Sequence, residues 1–239
     1  GSHMKNPYSN QIEREELILK YLPLVKAIAT NIKKHLPEDV DIRDLISYGV
    51  IGLIKAVDNL STENPKRAEA YIKLRIKGAI YDYLRSLDFG SRQVREKERR
   101  IKEVVEKLKE KLGREPTDEE VAKELGISTE ELFKTLDKIN FSYILSLEEV
   151  FRDFARDYSE LIPSSTNVEE EVIKRELTEK VKEAVSKLPE REKLVIQLIF
   201  YEELPAKEVA KILETSVSRV SQLKAKALER LREMLSNPL

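Results

Sequence analysis

Residues 205–232 read PAKEVAKILETSVSRVSQLKAKALERLR, a helix, a three-residue turn and a second helix. Val209, Ala210, Leu213, Val220, Leu223, Ala227 and Leu231 recur at three or four residues and form one apolar seam. Pro205 suits the first turn of the opening helix, where a missing N–H costs little. Ser216 is placed to cap the second helix. Away from the seam lie Val217, Ser218, Arg219, Ser221, Gln222, Lys224 and Lys226, and segment 217–232 holds five Lys/Arg against one Glu. Such a helix can enter a major groove. Arg fits guanine and Gln fits adenine, each by a bidentate pair. The plainer reading is a solvated charged face on a core helix, so the remainder of the chain decides.

The chain has 239 residues, 36% of them charged and 6% aromatic, with seven Gly. That composition favours an all-α fold with room for several small domains. No Cys is present, which removes disulfides and thiolate metal sites. Gly1-Ser2-His3-Met4 reads as an expression remnant, leaving His35 as the sole histidine of the rest. Metal, nucleophilic and P-loop chemistry therefore lack their residues, and no cofactor is expected. No apolar run is long enough to span a membrane. The net charge is only −1, so affinity for nucleic acid must come from how charge is distributed.

Over residues 10–90 three helices are expected. Ile18, Tyr21, Leu22, Val25, Ile28 and Ile32 make the stripe of the first, which ends at Pro37. Asp41 is a candidate N-cap for the second, with Ile46, Val50, Leu53, Val57 and Leu60 on its expected buried face. Gly49 and Gly52 lie inside it, and close helix approach explains their presence. Its open face carries Asp44, Ser47, Tyr48, Ile51 and Lys55, apolar and aromatic groups beside charges that suit a protein-docking surface. A third helix follows Asn64-Pro65. Segment 66–85 holds six Lys/Arg against Glu69 and Asp82, with Tyr71 and Tyr81 interleaved and Tyr83 facing inward beside Ile72, Ile76, Ile80 and Leu84. Cations that track phosphates beside rings that stack on bases suit a single strand.

Here the sequence resembles a family. DLISYGVIGLIKAVD (44–58) and EAYIKLRIKGAIYDYLRS (69–86) are similar to the second conserved region of bacterial sigma factors. That resemblance implies docking on the polymerase β′ coiled coil through Asp44, Ser47, Tyr48, Ile51 and Lys55. It implies recognition and opening of the minus-ten element through Tyr71, Arg75, Lys77, Tyr81, Asp82 and Arg85. Ala68 stands where a Phe is usual, and Leu74 where primary sigma factors carry Trp.

Segment 91–111 has nine Lys/Arg and five Glu, and Gly113 ends its helix. Thr117 with Glu120 and Ser128 with Glu131 read as capping boxes of a further helix–turn–helix. VAKELGIS (121–128) matches VAKILETS (209–216) at five of eight positions. The second helix of the first copy opens with Glu130 and Glu131, which repel phosphate, whereas its counterpart opens with Ser218 and Arg219. The first copy therefore reads as structural and the second as the duplex reader. Gly126 of the first turn is Glu214 in the second, which predicts a strained, positive φ there. GREPTDEEVAKELGIS (113–128) resembles the third sigma region, which implies that Arg92, Arg95 and Arg99 lie near duplex upstream of the minus-ten element. Leu188 to Leu231 resembles the fourth, which implies minus-thirty-five binding and contact with the polymerase β flap.

The expectation is an all-α protein of three small helical domains on flexible linkers, at 10–90, 91–147 and 171–236. Helix–turn–helix motifs lie in the second and third, and an acidic linker covers 148–170. The resemblance is closest to motility (flagellar) sigma factors. It implies a cytoplasmic promoter-specificity factor, not an enzyme, that works with core polymerase, promoter duplex and single strand, and an anti-sigma protein. A stand-alone helix–turn–helix regulator is the alternative; a nucleic-acid enzyme is disfavoured by the absence of a convincing acidic cluster. The stretch 146–171 holds eight acids and two Arg. Folded back, those acids would meet the basic DNA-binding faces, so the free chain is expected to be compact, with those faces partly occluded against the linker or one another.

Overall fold

The computed structural model describes residues 7–61, 63–161 and 169–237. Ten α-helices and one π turn carry them, with no strand among the described residues. The expression remnant and the Pro-Ser-Ser-Thr-Asn run at 163–167 lie outside them. The chain divides into two compact units, 1–87 and 88–239.

The first unit is a three-helix body, α1 (Pro7–Lys33), α2 (Ile42–Asp58) and α3 (Pro65–Ser86). Asp41 accepts from the Arg43 N–H at 2.8 Å and caps α2. Asn64 caps α3, and Pro65 fills its first turn. Val25 of α1, Leu45 and Leu53 of α2, and Ile72, Ile76, Ile80 and Leu84 of α3 are fully buried. The buried face of α2 is rotated from the expected one. Leu45, Gly49, Gly52, Leu53, Ala56 and Val57 are inside, while Ile46 and Val50 are only half-buried. The glycines cause this rotation, because they let α3 approach the α2 backbone. A Cβ on Gly52 would lie 2.7 Å from both the Ala79 Cβ and the Arg75 carbonyl oxygen.

The second unit begins with α4 (Arg92–Leu112), α5 (Asp118–Leu125) and α6 (Thr129–Leu161). Gly113 closes α4 in the left-handed conformation, φ 70°. Thr117 and Glu120 form the expected capping box, and the Arg114 guanidinium holds the Glu120 carboxyl down at about 2. Val94, Ile101, Val105, Val121, Leu132 and Leu136 make this part's core.

α7 (Glu169–Ser186), α8 (Glu190–Ile196), a π turn at Gln197–Tyr201, α9 (Ala206–Ile212) and α10 (Val217–Ser236) complete the chain. The chain leaves α8 through a widened turn, where the Glu202 N–H reaches the Gln197 carbonyl five residues back. Glu214 has φ 52°, the left-handed turn expected from the Gly126 counterpart at φ 73°. Ser216 caps α10 by accepting from the Arg219 N–H at 3.1 Å.

α6 is the common wall of the unit. Leu132, Leu136 and Ile139 serve the α4–α5 core, while Leu147 and Phe151 pack with Ala184, Val185, Leu188, Ala227, Leu228 and Leu231. The acidic stretch from 148 therefore starts as helix: α6 runs through it to Leu161.

Candidate nucleic-acid and polymerase interface

α10 carries the expected duplex-reading face, and this face is turned into the unit. Its first turn offers backbone N–H groups without intrahelical partners, the ordinary anion-binding end of a helix. Asp118, at the start of α5, fills that position. Its carboxylate accepts from the Val217 N–H at 2.9 Å, the Ser218 N–H at 2.9 Å and the Ser218 hydroxyl at 2.7 Å. Ser218 is fully buried as a result. Val217 packs against the apolar cores on both sides.

Arg219 lies between two glutamates, 3.8 Å from Glu106 and 3.7 Å from Glu115, and donates to Gln222 Oε1 at 2.9 Å. Two buried polar atoms have no hydrogen-bond partner beside it, Gln222 Nε2 and Glu115 Oε2. One turn on, Ser221 and Asn140 pair reciprocally. The Asn140 amide donates to the Ser221 carbonyl at 3.0 Å, and the Ser221 hydroxyl donates to Asn140 Oδ1 at 3.1 Å. Lys224 has its ammonium end enclosed, 5.5 Å from the Phe200 ring centre, and burial pushes it down to about 8 against the pull of Asp137. Lys226 is exposed. Of the seven expected reader residues, six are thus held within the unit.

The acids placed against the first turns of α10 come from α4 and the 115–118 turn, so the reader face meets the domain that carries the other basic helix, while part of the acidic linker lies outside the described residues. Glu106, Glu115 and Asp118 lie about 100 residues from their partners, so no local pattern marks them. The nearest signal is the GREPTDEE motif, which reads as a helix start and hides the second use of its Asp.

Lys224 yields a pH prediction. Its folded value lies below the ordinary lysine value, so between about 8 and 10.5 the unfolded chain binds more protons. Stability of the α6–α10 packing should therefore rise with pH across that window. Lys224→Met should stabilise the unit by about 1–2 kcal/mol at pH 7 and flatten the rise, as thermal unfolding at pH 7 and pH 9.5 would record.

The α4 residues expected to face the promoter are also engaged. Arg95 lies over the Tyr143 ring at 4.5 Å and bonds Ser142 Oγ at 2.8 Å and Glu98 at 3.2 Å. Tyr143 in turn donates to Glu98 at 2.9 Å, and burial followed by this bond raises its pKa. Arg99 pairs with Glu96 and Glu103, while Arg92 is exposed.

In the first unit the α2 face is open. Asp44, Ser47 and Lys55 are exposed, with Tyr48 and Ile51 at 41% and 47%. Tyr48 stacks on Tyr83 of α3, centroids 4.2 Å apart and planes 12° from parallel. On α3, Arg75, Lys77 and Asp82 are exposed, Tyr71 and Tyr81 half-buried, and Arg85 bonds Asp82 at 3.1 Å. Leu74, half exposed, shares this surface, whereas Ala68 is buried. Among the described residues no cluster of His, Cys, Asp and Glu could hold a metal, and no helix is long and apolar enough to cross a membrane.

Family models match along nearly the whole chain. Sigma-70 region 2 matches residues 17–89, region 3 residues 96–172, and region 4 residues 184–233. The chain belongs to the sigma-70 family. RNA polymerase sigma factor FliA of Salmonella typhimurium is 37% identical over 227 residues, covering 94% of this chain and 95% of the relative. Sigma-D of Bacillus subtilis is 33% identical, covering 92% and 89%. A solved flagellar sigma/anti-sigma complex, Sigma-28/FlgM, contains a chain 96% identical, with TM-score 0.88 and coverage of 99% of this chain and 100% of that one. This sigma factor is of the flagellar type, a promoter-specificity subunit and not a stand-alone regulator. Its region 2 is the α1–α3 unit. Regions 3 and 4 share the second unit through α6.

Proposed function

We propose that this sigma factor brings core polymerase to flagellar promoters without catalysing a reaction itself, and that the described state of regions 3 and 4 is a resting state. The Asp118 carboxylate on the α10 N-terminus is the observation that carries this reading: a duplex phosphate and Asp118 compete for the same N–H groups. Arg219 and Gln222 read bases once α10 leaves Asp118, Glu106 and Glu115. An anti-sigma protein of the kind seen with the 96% identical chain would need only to bind the resting form better. Core polymerase docks on the α2 face, with Asp44, Tyr48 and Ile51 at its centre, and α3 with Arg92, Arg95 and Arg99 meets the minus-ten element and its upstream edge. The protein works in the cytoplasm, where polymerase is.

Polymerase-bound protein on a minus-thirty-five duplex separates reader from anchor. Gln222→Ala should cost about 1–3 kcal/mol on the cognate site and relax preference at one base pair. Lys226→Ala should weaken all duplexes alike and lower the salt slope by about one unit. Equal losses from Gln222→Ala on cognate and scrambled duplexes would remove Gln222 as a reader.

A further inference from the structure

Tyr83 belongs to α3, on the side away from the expected DNA face, and its alternation with core isoleucines reads as packing. Its surroundings point elsewhere. The ring stacks nearly parallel on Tyr48 of α2, and the hydroxyl lies 3.5 Å from Asp44 Oδ2, at the outer limit of a hydrogen bond. Burial first, then the Asp44 charge, raises its pKa, so it remains a neutral donor beside that carboxylate. Asp44 and Tyr48 are one helical turn apart on α2 and both are exposed. An exposed aromatic side chain ordinarily samples several rotamers, and fixing it costs entropy on binding. The Tyr83 ring removes that freedom before a partner arrives, and leaves the second face of Tyr48 open.

We propose that Tyr83 is a positioning residue for polymerase docking: it holds the Tyr48 ring and the Asp44 carboxylate of α2 in the geometry that the core presents itself to. The matching partner surface offers a cation to Asp44 and a flat apolar or guanidinium group to the free face of Tyr48. Because Tyr83 is on α3, the docking face and the promoter-facing helix share this contact. The inference rests on the reading of the α2 face as the docking surface.

The test is a double-mutant cycle on affinity for core polymerase, using the full chain. Tyr83→Leu should weaken binding about fivefold to tenfold, the upper part of the range of an aromatic pair's coupling. Tyr83→Phe should stay within about twofold, because the stack survives and the 3.5 Å hydroxyl contact is weak. In a Tyr48→Ala background Tyr83→Leu should have almost no further effect on affinity. A purely structural Tyr83 would lower the melting temperature without this non-additivity or the rescue by Phe. Circular dichroism identifies any unfolded variant, and Tyr83→Met then replaces Tyr83→Leu as a longer, more flexible non-stacking side chain. Unchanged affinity in Tyr83→Leu, or additive losses with Tyr48→Ala, would overturn the proposal. Asp44→Lys tells the two failures apart. If it weakens binding while Tyr83→Leu does not, only the positioning role falls; if Asp44→Lys and Tyr48→Ala are both silent, the docking face itself lies elsewhere.

Discussion

Asp118→Ala should raise the affinity of the free protein for minus-thirty-five duplex about tenfold to a hundredfold. Asp118 accepts three hydrogen bonds from the first turn of α10, and an ionised acceptor strengthens each. Bonds to one carboxylate are not additive, so about 2–3 kcal/mol is the expected loss to the resting contact. Each 1.4 kcal/mol is a factor of ten in the open population, and affinity follows that population until opening is complete. α5 keeps its capping box at Thr117 and Glu120, so region 3 should stay folded. Asp118→Asn, which retains an acceptor oxygen without the charge, should fall between. Fluorescence anisotropy at fixed salt measures the change. The same variant bound to core polymerase should gain nothing, because there α10 is already free.

Gly52→Ala should cost the first unit about 2–4 kcal/mol, the range of severe overpacking. The new methyl would meet the Ala79 Cβ and the Arg75 carbonyl oxygen at 2.7 Å. Neither can move aside without shifting α3, since one atom is backbone and the other is fixed to it. Gly49 is crowded too, with Val25 Cγ1 at 2.6 Å, but a side chain can turn, so Gly49→Ala should cost less. The two variants thus rank by what they strike, not by how near it is. Thermal unfolding should show the order, and Gly52→Ala should also weaken core docking by spreading α2 from α3 and breaking the Tyr48–Tyr83 stack.

Local chemistry was legible in the sequence. Caps at Asp41, Thr117 and Ser216, the glycine stop at 113 and the positive φ of Glu214 each follow from one residue's own backbone or side-chain preferences. The pairing of Gly49 and Gly52 with close helix approach was legible for the same reason. The sequence did not reveal which stripe of α2 is buried. Ile46 and Val50 carry more apolar surface than Gly49 and Gly52, so a hydrophobic count favours them, while backbone approach selects the glycine side. Closure of the reader face, against the linker or another DNA-binding face, followed from charge distribution, but the residues that make the contact did not. An excess of acids between 146 and 171 is a statistical attraction. Asp118 meets three donors at hydrogen-bond distance on a preformed helix end, a match of position that charge counts do not contain.

The resting state requires that α10 leave α6 and α5 before it can read duplex. The protein has no cysteine, so Asn140→Cys with Ser221→Cys places two thiols where side chains already meet across α6 and α10. Bridged by oxidation or by a short bis-thiol reagent, regions 3 and 4 are held in the resting state. Run-off transcription with core polymerase on a flagellar promoter should then fall to background and return on reduction or in the unbridged variant. Transcription by the bridged protein at the rate of the reduced one would show that α10 reads duplex without leaving α6.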